Sequence, residues 1–427
     1  MMQPRERRGC DVCGRDAVEQ LYDQRFARFD DASGLDGYAV VACTHCGFVY
    51  ADLLPGQEVF DRYYRDLSKY ESHDNEGEVV PWKAVIHRSI VADLSERLPD
   101  RTISILDVGS SSGHLISLFK QAGYHDAIGF DPSPRCRELA RERYDVEVIN
   151  TSISQMAFGG RRFDLILMAS VLEHLRDLER TLGELRGLLR EGGAIWLEVP
   201  DAARFADYVL SPFQQFSLEH INFFTLQTLE RLMQRVGFRT ASSWPTIRRV
   251  GSMDDPGLDG LFVRDEPSDV AAVDAAGVAA VRSYVAGSEQ LERTLCRRLG
   301  ALAQHSEPVI VWGTGSLTLH LMNDPVFSRL NIVAFVDSNA NYQGKTIRGV
   351  PILAPSALRD RDEQILIVTH AAQEEILDVI RNRYGLTNPV TLFLGDDAPA
   401  AAGDAARLSS KSRRAAISAT AIPTTSQ

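Results

Sequence analysis

The sequence contains no uninterrupted apolar run approaching the ~20 residues that a membrane-spanning helix needs. Its opening, MMQPRERRG, lacks the apolar centre of a secretory leader. A cytoplasmic protein with no membrane partner is therefore expected. Cysteine is scarce, with 6 in 427 residues, which excludes a disulfide scaffold and makes paired cysteines in a reducing compartment metal ligands instead. Positive charge is short too: 46 Lys and Arg face 58 Asp and Glu, giving −12. Such a field repels phosphate backbones, so no nucleic-acid partner is expected. Core-forming residues are not lacking. With 44% hydrophobic and 24% charged residues, the composition is globular, and the length suits two to four domains.

Four of the cysteines form two pairs, Cys10-x2-Cys13 and Cys43-x2-Cys46, separated by 29 residues, each followed by a glycine, Gly14 or Gly47. A glycine there permits the tight turn that aims two sulfurs at one ion. Four thiolates close a tetrahedral Zn2+ shell with no open position, the structural kind of site. Residues 1–75 are thus expected to be a zinc-binding module with no core of its own. The other two cysteines, Cys136 and Cys296, lie in helical patterns as packing residues.

Residues 76–245 alternate apolar strand runs with helical patterns, the mark of a parallel sheet covered on both faces. Strands are predicted at 103–108, 127–130, 146–149, 163–169 and 194–199, and a helix capped by Thr225 near the end. The stretch ILDVGSSSGHL follows the first strand into a Gly/Ser turn and then a helix. Gly109 and Gly113 let backbone approach a ligand at the carboxyl end of a parallel strand, where open α/β sheets bind. The acidic residue precedes the glycines, which suits a ligand carrying both an ammonium and a carboxylate: Asp107 holds the cation and turn amides meet the anion. Asp131, ending the next strand, can accept two hydrogen bonds from a ribose diol. Ser152 and Ser154 lie where an adenine edge would be read, or cap a turn.

These residues resemble a class I S-adenosylmethionine-dependent methyltransferase. Asp107-x-Gly109-x-Ser111-x-Gly113 matches that family's first motif, with Ser111 where a glycine is usual, and FDLI…VLEHL matches its fourth-strand motif. The overall layout is α/β: a small zinc module, a central doubly wound Rossmann-like domain and a smaller Rossmann-like domain at 304–396. Over about 390 residues this layout resembles the zinc-containing C-methyltransferases of nucleotide-linked keto sugars. The resemblance implies S-adenosylmethionine as cofactor, a structural Zn2+ and a sugar-nucleotide acceptor. Glu219-His220 in FSLEHINFFT falls where that family carries a Glu-His pair near the acceptor, and Tyr70, or alternatively Tyr64, fits its N-terminal active-site tyrosine. Phenols flank the pair in the family, whereas Phe216, Ser217 and Phe223 stand here.

The pair has a chemical rationale. Carbon becomes nucleophilic only when a proton beside a carbonyl is removed; a histidine is a suitable base, and a neighbouring carboxylate can orient it. O-methylation of a saccharide or natural-product hydroxyl is the alternative enzymatic reading. The Gly313-x-Gly315 turn with Asp337 resembles half of a dinucleotide site, although Thr318 occupies the third glycine position. Between the sheets, residues 246–303 are expected to form a connector, GSMDDPGLDG, and a packing helix. The tail from 397 to 427 has little to bury and is expected to be disordered.

Overall fold

The computed structural model describes residues 5–31, 35–56, 59–60, 79–151, 153, 158–250, 253–268, 272–305, 307–369 and 373–394. Tyr64, Tyr70, Ser152, Ser154 and the 397–427 tail lie outside them. No helix among the described residues is long and apolar enough to cross a membrane.

Three antiparallel strands open the chain: β1 (Val18–Arg25), β2 (Gly37–Cys43) and β3 (Val49–Asp52). Every residue of β2 is buried. Its side chains alternate between two cores, with Tyr38, Val40 and Ala42 in one and Ala39, Val41 and Cys43 in the other. The run GYAVVAC is apolar throughout because both faces of the strand are covered. This corrects the expectation of a coreless module: the first 54 residues contribute to two large apolar clusters shared with the rest of the chain.

The central sheet begins with β4 (Ile105–Val108), β5 (Ala127–Asp131), β6 (Val148–Asn150), β7 (Phe163–Ala169) and β8 (Leu189–Pro200), which pair in parallel. Strand β9 (Asn222–Phe223) leaves this unit and completes the N-terminal sheet by pairing with β3. A helix, Leu226–Arg235, follows; Thr225 caps it, with Thr228 closing a capping box. The chain then returns as a long hairpin, β10 (Phe238–Val250) and β11 (Met253–Arg264), and β11 docks antiparallel on β8. The seven-stranded order is β10-β11-β8-β7-β4-β5-β6.

The hairpin corrects the connector expectation. Residues 253–260 are strand, and the sheet runs to Arg264, past residue 245. Composition misleads here because cross-strand chemistry compensates for the glycines and aspartates: Arg249 pairs with Asp254 at 3.0 Å and Arg248 with Asp259 at 2.5 Å.

A helix, Ala275–Arg298, leads to the last unit, built on β12 (Pro308–Trp312), β13 (Asn331–Val336), β14 (Thr346–Ile347), β15 (Val350–Leu353), β16 (Gln364–Ile367) and β17 (Val390–Leu392). Its order is β14-β15-β13-β12-β16-β17, parallel except for the β14–β15 hairpin. One face of this sheet shares an apolar cluster with β1–β3 and the segment 202–223. The N-terminal, central and C-terminal units are thereby packed into one body.

Candidate functional site

Strand β4 ends at the turn the sequence singled out. Gly109 and Gly113 both adopt left-handed backbone, and Ser111 does so without being glycine (φ 49°). A side chain at Gly113 would also meet Val146 Cγ2 at 2.5 Å, so both φ and packing require glycine there. Ser111 is held in its unusual conformation by Asp131, whose Oδ2 accepts the Ser111 N–H at 2.9 Å while Oδ1 accepts the Ser133 N–H at 2.9 Å. Asp131 is half-buried at the tip of β5.

Asp107 is 3% exposed. Burial pushes its carboxyl up to about 8; Lys83 opposes this and Asp131 adds to it. A carboxylate this buried is stabilised by a cation at its side. Asp107, the left-handed turn and Asp131 therefore fit a ligand with a cationic group and a diol, the donor set that S-adenosylmethionine presents. The structure brings Asp107, Gly109, Ser111, Gly113 and Asp131 together at the carboxyl ends of β4 and β5.

The second group of residues sits where the loop after β7 meets the segment before β9. Glu173 and His174 lie in a turn at Leu172–His174. Backbone bonds lock it to the Glu219-His220 segment: the Ile221 N–H donates to Glu173 O at 2.9 Å, and His174 Nδ1 lies 3.0 Å from Glu219 O. The His174 and His220 rings meet edge to face, with centroids 4.9 Å apart. Glu173 is fully enclosed. Burial holds its carboxyl well above the usual range, Glu198 adding to the effect.

His220 lines a cavity of about 270 Å3 together with Phe216, Ser217 and Asp255 of the central unit and Ser316 and His320 of the C-terminal unit. A second cavity of about 270 Å3, bounded by Gly313, Gly315, Asp337 and Ser338, shares Ser316, Leu317 and Thr369 with the first. Phe216, Phe223 and Phe224 all belong to the core, and Phe216 also borders the cavity. In the C-terminal turn Asp337 is held as Asp131 is: Oδ2 accepts Thr314 N–H and Oγ1–H, and Oδ1 accepts the Asn339 N–H.

Sequence reasoning missed His320 and Ser316, although both lie close after the Gly313-x-Gly315 turn in VIVWGTGSLTLHL. His320 Nε2 lies 3.0 Å from Glu292 Oε2, and its ring packs on Phe213. Asn222 was missed as well; no local signal marks it, since its hydrogen-bond partners, Arg8 and the carbonyls of Leu172 and Leu175, are remote in sequence.

The four cysteines converge as expected. Their sulfurs all lie within 4.8 Å of one another, with Cys10–Cys46 and Cys13–Cys43 at 3.5 Å. A tetrahedral zinc with bonds of ~2.3 Å sets its sulfurs ~3.8 Å apart, so the donor set and spacing fit that ion. Gly14 and Gly47 both adopt left-handed backbone in the two turns, and a side chain at Gly47 would strike Asp274 O at 2.5 Å.

Against this geometry, residues 83–243 match the family described as "Methyltransferase domain", and residues 305–387 match "C2185-like, N-terminal". The ubiquinone biosynthesis O-methyltransferase of Cereibacter sphaeroides is 34% identical over 106 residues, 24% of this chain and 42% of that protein. The tRNA U34 carboxymethyltransferase of Syntrophotalea carbinolica is 30% identical over 155 residues, 34% of this chain and 48% of that protein. The chain thus spans less than half the length of these relatives. Among solved structures, a Burkholderia thailandensis 1,6-didemethyltoxoflavin-N1-methyltransferase with bound S-adenosylhomocysteine aligns at a TM-score of 0.40 and 19% identity, covering 52% of this chain and 98% of that one. The stretch that matches the methyltransferase-domain model holds strands β4–β8 of the central sheet.

Proposed function

We propose that the protein is an S-adenosylmethionine-dependent methyltransferase acting on a small acceptor in the His220 cavity, and that it methylates carbon in a nucleotide-linked keto sugar. The observation that carries the cofactor is buried Asp107 beside the left-handed Gly109–Gly113 turn, inside the matched methyltransferase region. When bound, S-adenosylmethionine supplies an electrophilic methyl group. Asp107 receives its ammonium, turn amides its carboxylate, and Asp131 exchanges part of its grip on backbone amides for the ribose diol.

The acceptor site belongs to the cavity. A ring nitrogen of His220 takes the proton from the carbon beside the acceptor's carbonyl, and Glu219, buried next to it, orients the segment. Ser217 and Ser316 offer hydroxyls at the same wall, where the family's phenols are absent. The adjoining C-terminal cavity extends the cleft and gives room for the nucleotide end of an elongated acceptor. The net charge of −12 argues for a small acceptor over tRNA.

The test is mass spectrometry of reactions with a panel of keto sugar nucleotides. A product heavier by one CH2 shows transfer, and 13C NMR of product made with methyl-13C-labelled cofactor locates it: an upfield C–CH3 carbon coupled to a ring carbon is the expected result, and a downfield O–CH3 carbon identifies O-methylation. Deuterium exchange beside the ketone without cofactor isolates the proton-abstraction step, and its absence removes the His220 role.

The zinc assignment has its own test. Metal analysis of the purified protein is expected to give about one zinc per chain, and Cys43→Ser to lower the thermal midpoint markedly. Wild-type stability in Cys43→Ser, or a metal-free wild-type protein that unfolds at the same temperature, contradicts it.

A further inference from the structure

Arg8 lies two residues before Cys10 and is 7% exposed. On the cysteine side, its Nη2 donates to Asp11 Oδ2 at 2.7 Å, its N–H donates to Asp52 Oδ1 at 2.7 Å, and its carbonyl accepts the Tyr50 hydroxyl at 3.2 Å. On the other side, Nη2 donates to Asn222 Oδ1 at 2.9 Å and Nη1 to Ile221 O at 3.4 Å. Asn222 is 2% exposed, and its amide nitrogen donates to Leu172 O at 3.0 Å and Leu175 O at 2.8 Å. One buried asparagine thus spans both ends of the turn holding Glu173-His174 while sitting two residues after His220. One buried guanidinium ties that asparagine to the four-cysteine knuckle.

We propose that Arg8 and Asn222 are positioning residues through which the four-cysteine centre sets the placement of His174 and His220, so that the metal governs turnover without touching substrate. The inference rests on the His220 reading above and adds a function to a site otherwise purely structural. Geometry makes the link stiff: the guanidinium fork fixes the asparagine's oxygen side, and the asparagine spends both amide protons on carbonyls of a single turn. Loss of the cation frees the loop at Cys10 and with it Arg8; His174 and His220 then lose their shared frame. The cofactor turn, Gly109–Gly113, is outside this chain of bonds.

Arg8→Lys keeps the charge and loses the fork. It is expected to retain one zinc per chain and wild-type affinity for S-adenosylhomocysteine, and to move the His174 and His220 imidazole resonances in 1H–15N spectra. Its kcat should fall on the order of 10- to 100-fold. Chelating zinc from the wild-type full chain should move the same two resonances, and chelation of Arg8→Lys should move them little further. Asn222→Ser is expected to repeat the Arg8→Lys pattern; should it fail to fold, Arg8→Lys decides alone. Wild-type imidazole resonances and kcat in Arg8→Lys, or zinc extraction that leaves both rings unmoved, overturn the proposal. The spectra need no turnover, so an inactive wild-type protein would count against His220 as base and leave the coupling to be judged on its own.

Discussion

His220→Asn is expected to lower kcat by about 10²- to 10⁴-fold, the range a positioned general base contributes, with affinity for S-adenosylhomocysteine unchanged. Asparagine nearly preserves the ring's first atoms and the backbone, and the Ser217 hydroxyl that accepts the His220 N–H at 3.1 Å is untouched. The segment is held by groups other than the imidazole: Ile221 N–H on Glu173 O and the Asn222 amide on the turn carbonyls. A loss of activity therefore reports on chemistry more than on folding. Steady-state kinetics with the best keto sugar acceptor measures it. Retained kcat assigns proton removal to another group or removes the need for a base, as acceptors with a nucleophile of lower pKa would.

Asp107→Asn is expected to have opposite effects on stability and on cofactor binding. The carboxyl's pKa rises from 3.8 unfolded to about 8 folded, so the folded state binds the extra proton. This costs nothing below the unfolded value; the penalty grows as pH climbs from 3.8 toward 8 and amounts to about 4 kcal/mol near pH 7. Asparagine removes the charge without changing shape, so the cofactor-free variant should melt higher than wild type at neutral pH, with the gap closing below pH 4. Cofactor affinity should fall, since the ammonium loses its partner, by about 10- to 100-fold. A variant that melts lower at pH 7 and binds S-adenosylhomocysteine as wild type does contradicts both halves. The pattern matches a familiar trade: a site destabilised for its ligand's sake gains stability when disarmed.

Much of the central unit is legible in the sequence because its elements are locally self-describing. Strand β7 coincides with FDLILMA, apolar but for Asp164 and buried along most of its length, and Thr225 announces its helix through a cap that needs only the next three residues. Asp107 and Asp131 are legible for the same reason, each lying at the carboxyl end of a parallel strand. The hairpin β10–β11 is not, since its aspartates and glycines look like a loop until Arg248 and Arg249 are placed across from them. The N-terminal sheet hides differently: β3 is only four residues long and completes its sheet with β9, some 170 positions later. The acceptor cavity is the least legible feature. His220 was visible from the resemblance, but His320 and Ser316 reach it only because the C-terminal sheet packs onto the 202–223 segment. Long-range packing of that kind leaves no periodic trace in either segment.

Calorimetric titration of S-adenosylhomocysteine into the full chain, wild type beside Asp131→Ala, tests most directly whether the tips of β4 and β5 hold the cofactor. One-site binding in the micromolar range that weakens at least tenfold in the variant, as loss of a charge-assisted hydrogen-bond pair worth about 1.5–3 kcal/mol requires, is the predicted result. No heat at millimolar ligand, or identical isotherms for the two proteins, would contradict it.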